Sequence, residues 1–195
     1  MPKLVDHDDR RSRLAEAAAD VIAGQGLDAT GLREVARASD LTTGAVTHYF
    51  TSKAALIDAA YDAVMDRLLD RQAEQLPGGV TPEAVVAQLA AVLPGDAAGV
   101  RDWRVWLAFS ARAIVDPGMQ QRHRSYYARI TAGLAAEFAR GSDDGKAVAD
   151  LVVAILDGLG TRMLLEPGDW PPDRVTATLA RAMPVLFPDP DEVMP

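Results

Sequence analysis

Apolar residues recur at intervals of three and four along nearly the whole chain, and alternating β-branched runs are absent from the sequence. This spacing gives a single apolar face to a helix of 3.6 residues per turn but no consistent face to a strand. Alanine, the strongest helix former, is abundant throughout. The sequence therefore predicts an all-α fold.

Glycine, proline and hydroxyl residues divide the apolar repeats into nine predicted helices. The first is stopped by the run GQG at 24–26, since glycine is the usual residue just past a helix C-terminus. Thr30, Thr42 and Ser52 are the predicted N-caps of the second, third and fourth helices. The helices after the first are predicted at 31–39, 43–50, 53–75, 82–93, 97–115, 118–140, 144–166 and 172–187.

The clearest break in the chain is the run PGGVTP at 77–82. A long predicted helix leads up to it, and five predicted helices follow it. We therefore predict a three-helix head at 1–53, a connecting helix at 54–76 and a five-helix bundle at 77–195.

Composition excludes several classes of protein. The 195 residues include no cysteine, which excludes disulfides, thiolate catalysis and thiolate metal sites, and no cofactor is expected. No apolar run reaches the roughly 18 residues that a membrane span requires. The N-terminal ten residues lack the apolar core of a signal peptide. We expect a cytoplasmic protein without a membrane partner.

The net charge of −8 is unusual for a protein that binds nucleic acid. The acidity lies mostly outside residues 1–53, which hold seven Lys and Arg against eight Asp and Glu. DNA affinity depends on where a few cations point rather than on the total charge. The charge therefore weakens a DNA-binding hypothesis without removing it.

The predicted helices at 31–39 and 43–50 are short and are joined by a tight connection at Asp40 and Leu41. This is helix-turn-helix spacing, although any helical hairpin shares it. The second of the two helices crowds hydroxyl, imidazole and phenol groups onto two turns, with few apolar residues to pack. Such a helix gains little from a core, which favours contact with a partner such as DNA.

The stretch GLREVARASDLTTGAVTHYFTSK at 31–53 resembles the DNA-binding head of TetR-family transcriptional regulators. The variant THYF at 47–50, and DGL at 157–159 followed by LLEP at 164–167, resemble the choline-responsive BetI-type branch of that family. The resemblance implies a sequence-specific regulator, most commonly a repressor. A small organic ligand bound in the C-terminal helical domain would lower its operator affinity.

The same resemblance implies the DNA-contacting residues. Four residues of the third helix, with Arg33 of the second, would face base edges, and four others would hold phosphates. The family usually has an aromatic residue where this chain has Thr47, so that base contact departs from the pattern. Two alternatives to DNA contact remain: Arg33 is a solvated helix charge, or Tyr49 is a partly buried ring with a solvated hydroxyl. The base-facing residues are Arg33, Thr43, Gly44, Ala45 and Thr47, and the phosphate-facing residues are Thr42, His48, Tyr49 and Lys53.

Six of the nine aromatic residues after residue 53 fall in the predicted helices 97–115 and 118–140. They either fill the core of the bundle or line an apolar cavity with a few polar orienting groups. In the second case an aromatic cage suited to a quaternary amine is one possibility. The candidate ligand-binding residues are Trp103, Trp106, Phe109, His123, Tyr126, Tyr127, Asp157 and Met163.

The helices at 144–166 and 172–187 carry broad apolar faces. The family resemblance implies that they pair with the same two helices of a second copy. A homodimer of this kind would place two recognition helices on a palindromic operator. The rival hypotheses are an all-α enzyme and a dimeric helical adaptor. With three histidines and no cysteine, the sequence offers few candidate catalytic groups for an enzyme. We expect no enzymatic activity.

Overall fold

The computed structural model describes residues 3–74, 81–138 and 145–186, and the regular structure within these stretches is entirely helical. This confirms the all-α prediction. The helices are α1 (Lys3–Gln25), α2 (Leu32–Ala38), α3 (Thr43–Thr47), α4 (Lys53–Glu74), α5 (Pro82–Ala91), α6 (Ala97–Ala113), α7 (Pro117–Phe138), α8 (Gly145–Leu165) and α9 (Pro172–Leu186).

Local signals placed most helix ends correctly. Gly26 follows α1 with a φ of +83°, the left-handed conformation that glycine adopts readily. The hydroxyl of Thr42 accepts from the amide of Ala45 at 3.2 Å, and Ser52 accepts from the amide of Ala55 at 3.1 Å. Both predicted caps are confirmed. The break at 77–82 lies mostly outside the described residues, as do residues 139–144 and 187.

Two local predictions were wrong. Gly31, not Thr30, occupies the N-cap position of α2. The buried hydroxyl of Thr30 donates to the carbonyl of Gly26 at 2.8 Å, so it closes the preceding turn instead. The third helix ends at Thr47 rather than Phe50, and the amides of Tyr49 and Phe50 both bond to the carbonyl of Val46, at 3.0 Å each, in the turn that follows.

The chain divides into two compact units. The first is Met1–Leu68 with Arg101–Gln120, and the second is Leu69–Val100 with Gln121–Pro195. Helices α4, α6 and α7 therefore contribute to both. This division concerns packing, so the functional boundaries predicted at 53 and 76 stay a prediction.

The core of the first unit lies between the head helices and the beginning of α4. Leu14 and Ile22 of α1, Val35 of α2, Val46 of α3 and Leu56 of α4 are all buried. Phe50, which follows α3, is also fully buried. Each such side chain contributes about 1.5–3 kcal/mol by leaving water, and together they hold α3 against the other helices.

In the second unit, α9 packs against α5 and α8. Val175, Leu179, Met183 and Leu186, the apolar face predicted to meet a second copy, are buried inside this unit. On α8, Val152 and Leu159 are buried in the same way. The apolar periodicity was right, but these side chains form an internal core.

Candidate nucleic-acid interface and ligand site

The helix-turn-helix is built from α2, a four-residue turn and α3. Asp40 takes a left-handed conformation in the turn, with a φ of +54°, which Asp tolerates better than most residues. The amide of Leu41 closes the turn on the carbonyl of Ala36 at 2.9 Å. Val35 and Val46 are fully buried, so the two helices are fixed from behind while their opposite faces remain open.

The exposed face of α3 carries most of the predicted base-facing residues. Thr43, Gly44 and Thr47 are exposed and Ala45 is half-buried, while Arg33 is exposed on α2. A Cβ at Gly44 would meet only the hydroxyl of Thr42, at 3.9 Å, so the backbone is uncovered there. The hydroxyl of Thr47 donates to the carbonyl of Gly44 at 3.0 Å and keeps its acceptor lone pairs free.

The predicted phosphate-facing residues border this face. Thr42 and His48 are exposed, and Tyr49 is half-buried with its ring perpendicular to His48 at 5.2 Å. The ammonium of Lys53 donates to the carbonyl of Asp28 at 2.9 Å, which holds it beside the N-terminus of α4. A helix N-terminus attracts anions, so the charge and the helix dipole act together there.

The sequence did not reveal that α1 supports the end of α3. The guanidinium of Arg11 donates to the carbonyl of Tyr49 at 2.9 Å and lies 4.6 Å above the ring of Phe50. The ring of His7 lies 4.7 Å from that of Tyr49 and 5.9 Å from that of His48. The only available signal was that His7 and Arg11, four residues apart, share one face of a helix.

A second unanticipated feature is an ion cluster that joins α1, α4 and α6 within the first unit. Arg67 holds the carboxylate of Asp102 with two hydrogen bonds, from Nε at 3.2 Å and Nη2 at 2.8 Å. Arg101 donates to Asp102 at 2.9 Å and to the carboxylate of Glu16 at 2.8 Å. Glu16 also pairs with Arg67, and Asp20 pairs with Arg101. Asp102 is only 1% exposed, so the three-helix ion cluster has a buried anionic centre.

Apart from Met163, the candidate ligand-binding residues fall into two groups, one in each unit. In the first unit, Trp103, Trp106 and Phe109 are all buried. The two tryptophan rings meet edge to face at 5.0 Å, and Phe109 packs on Tyr61 at 4.6 Å. These contacts are typical of aromatic core packing.

In the second unit, α7 and α8 bring several polar side chains together. The phenol of Tyr127 donates to Oδ2 of Asp157 at 2.5 Å, and the ring of His123 lies 4.4 Å from that of Tyr127. Tyr126 is buried beside them, with its ring 5.7 Å from that of Tyr127. Burial raises the pKa of Asp157 to about 6, against the smaller opposing effect of the Tyr127 hydrogen bond. Burial also lowers the pKa of His123.

Met163 does not share this face of α8. Six residues beyond Asp157, it points about 120° around the helix from it. The neighbouring Arg162 is engaged by Glu166 at 2.6 Å and lies 4.7 Å over the ring of Trp170. Neither residue is brought to the group formed by His123, Tyr127 and Asp157.

Among the helices that the structure describes, none combines the length and the apolar character needed to cross a membrane.

The short helix α2, the tight turn with Asp40 in a left-handed conformation, and the short helix α3 with its exposed polar face have the geometry of a DNA-binding helix-turn-helix. The sequence profile of bacterial regulatory proteins of the tetR family matches residues 14–60. The profile of the C-terminal part of BetI-type transcriptional repressors matches residues 82–188. The chain therefore belongs to the TetR family of bacterial regulatory proteins.

Similarity to individual proteins extends along most of the chain. It is 28% identical over 181 residues to the HTH-type transcriptional regulator PksA of Bacillus subtilis (strain 168), which covers 90% of this chain and 88% of that protein. It is 31% identical over 179 residues to the regulator BetI of Burkholderia thailandensis, with coverage of 87% and 89%.

Solved structures share the fold. A transcriptional regulator from Rhodococcus sp. Rha1 superposes with a TM-score of 0.83 at 31% identity, over 91% of this chain and 95% of that one. A regulator from Saccharomonospora viridis, solved in complex with choline, has a TM-score of 0.78 at 21% identity, over 90% and 96%.

These relationships settle the class of activity. The family and its relatives are transcriptional regulators, so this chain is a DNA-binding transcriptional regulator and not an enzyme. Its C-terminal match is to repressors, in agreement with the expected repressor role. The fold and function predicted from the sequence are confirmed, and the enzyme and adaptor hypotheses are set aside.

Proposed function

We propose that α3 enters the major groove of an operator and reads base edges with Thr43, Gly44, Ala45 and Thr47. Arg33 would reach the same groove from α2. The observation that carries this proposal is the open polar face of α3, whose buried side holds the helix in place and leaves its hydroxyl groups outward. Threonine methyl and hydroxyl groups suit thymine and base acceptors, and arginine suits guanine.

The neighbouring residues would fix α3 on the DNA backbone. Thr42, His48 and Tyr49 offer hydrogen-bonding groups at the two ends of α3, and Lys53 adds a charge at the N-terminus of α4. Contacts of this kind set the position of a protein on the duplex but carry no sequence information. Their loss should weaken binding to every sequence alike.

A homodimer through α8 and α9 would present two such heads to a palindromic operator, with half-sites about 34–36 Å apart. The support is an exposed stripe of apolar and small residues on α8, distinct from the face that packs inside the unit. A Cβ at Gly158 meets nothing within 4 Å, so another helix could approach closely there. The stripe comprises Leu151, Ala154, Gly158 and Leu165.

A small organic effector bound in the C-terminal helical domain would lower operator affinity. The support is the partly buried polar cluster of His123, Tyr127 and Asp157, together with the BetI-type match of residues 82–188 and the choline bound to a protein of the same fold. The effector would act by binding more tightly to a state whose two heads do not match the operator spacing. It can shift the equilibrium only by that difference in affinity.

The test is selection of retained sequences from randomised duplex DNA, followed by affinity measurements on the selected operator. Lys53→Ala should weaken binding to all DNA and reduce the slope of log affinity against log salt by about one unit. Arg33→Ala should instead relax the preference at one base position, by about 1–3 kcal/mol. Lys146→Ala, which removes an exposed lysine of α8, is the matched control and should change neither quantity. If Lys53→Ala and Arg33→Ala both bind every sequence like the parent, the assignment of the surface is wrong.

A further inference from the structure

A largely buried carboxylate on α8 is held on one side only. Oδ2 of Asp157 accepts the phenol proton of Tyr127 at 2.5 Å. Within the described residues, no Lys, Arg or His forms an ion pair with Asp157, and no neighbouring cation opposes the effect of burial on its pKa of about 6. At neutral pH most of the molecules carry a buried negative charge without a counter-charge. Such a group is costly to the fold and is characteristic of binding sites.

A second polar atom lies unsatisfied beside it. Nδ1 of His123 is buried and has no hydrogen-bond partner. The His123 ring lies 4.4 Å from the ring of Tyr127, one helical turn further along α7. Because burial lowers its pKa, His123 is neutral at neutral pH, and a neutral imidazole offers one donor and one acceptor nitrogen. Native proteins leave few buried polar atoms unpaired, so Nδ1 of His123 calls for an explanation.

We propose that His123, Tyr127 and Asp157 recognise an effector that carries an ammonium group with at least one N–H, together with a second hydrogen-bonding group. The inference rests on the proposed effector site in the C-terminal domain and specifies its ligand. The ammonium donates to Oδ1 of Asp157 and neutralises its charge, while the second group of the effector bonds to Nδ1 of His123. The buried ring of Tyr126 lies beside these residues, 5.7 Å from the ring of Tyr127.

The N–H requirement separates this effector from a quaternary ammonium ion. A trimethylammonium group brings the same charge, but its methyl groups keep the carboxylate at van der Waals distance and donate no hydrogen bond. A charge-assisted hydrogen bond is roughly twice as strong as a neutral one. Ammonium ligands with N–H groups should therefore bind more tightly than their fully methylated counterparts.

Ethanolamine, N,N-dimethylethanolamine and choline form a matched series of probes for this proposal. All three carry one positive charge and one hydroxyl group, and only choline lacks an N–H. Isothermal titration calorimetry of the full chain at pH 7.5 should show that the first two bind at least about tenfold more tightly than choline. Equal or tighter binding of choline overturns the proposal, and so does the absence of binding by all three at about 10 mM, a concentration at which ligands of this size can bind.

Substitutions then identify the carboxylate. Asp157→Asn keeps the shape and the acceptor for Tyr127 but removes the charge, and it should weaken ethanolamine binding by more than about tenfold. Asp150→Asn, the same change at an exposed position of α8, should have no effect. If Asp157→Asn does not fold, Tyr127→Phe serves in its place and should weaken binding severalfold. Unchanged ethanolamine binding in the folded variant overturns the proposal.

A mobility-shift measurement on the selected operator separates this inference from the proposed function. Ethanolamine binding that lowers operator affinity supports both. Intact operator binding with no affinity for any of the three amines overturns this inference alone. Amine binding that leaves operator affinity unchanged overturns the effector role of the site.

Discussion

Asp102→Ala tests whether the three-helix ion cluster holds the first unit together. The substitution removes the three hydrogen bonds that Asp102 accepts from Arg67 and Arg101, and leaves two guanidinium groups facing each other. Breaking a buried ion pair by removing one partner costs about 3–5 kcal/mol. Here Arg67 and Arg101 are 32% and 21% exposed and keep Glu16 as a partner, so we expect a smaller loss of about 2–3 kcal/mol.

Urea denaturation followed by tryptophan fluorescence measures this loss, since Trp103 and Trp106 lie on α6 directly beyond Asp102. The corresponding fall in the melting temperature is roughly 5–10 °C for a chain of this length. Asp150→Ala, which breaks only the exposed pair with Lys146, is the control and should cost about 0.5 kcal/mol or less. If the two variants lose the same stability, the cluster does not stabilise the unit and the reasoning from burial is refuted.

Two further predictions concern the two proposed sites. Gly44→Ala should leave the unfolding free energy unchanged or raise it by up to about 0.5 kcal/mol, because a Cβ there has space and alanine favours helix. Operator affinity, measured by fluorescence anisotropy, should nevertheless fall by about tenfold or more, because the new methyl group stands between α3 and the base edges. Burial raises the pKa of Asp157 from 3.8 to about 6, so the folded state holds this proton to a higher pH than the unfolded state, and stability is lost as the pH rises from about 4 through 6. Asp157→Asn should remove that loss and be more stable than the parent at pH 8, by no more than about 3 kcal/mol, with little gain at pH 4 in urea melts at both values. A constant difference across this pH range would contradict the assignment of the pKa.

Helix positions were predictable because their signals are local. The cap at Thr42 and the stop at Gly26 each depend on a few neighbouring residues, and the apolar period depends on one helix at a time. The failure at Thr30 has the same origin. Its hydroxyl had two acceptable local roles, and the sequence does not show which neighbouring group the turn brings within reach.

The candidate DNA surface was predictable for a related reason. The residues of α3 are too polar to be explained by packing, and the family motif assigns them roles position by position. Its support from α1 was not predictable, because Arg11 and the carbonyl of Tyr49 are 38 residues apart in sequence. Nothing in either segment marks the other as its partner.

The sequence by itself determined the helical class, the helix-turn-helix and the family, since period, capping and motif are properties of short segments. Only the tertiary structure decided what covers each apolar face and which charges meet. Leu179 and Met183 pack inside their own unit instead of facing a second copy, and Asp102 is buried between two arginines. Periodicity identifies the side of a helix that leaves water, but it does not identify what replaces the water. That depends on contacts between residues far apart in the chain, which form together when the protein folds.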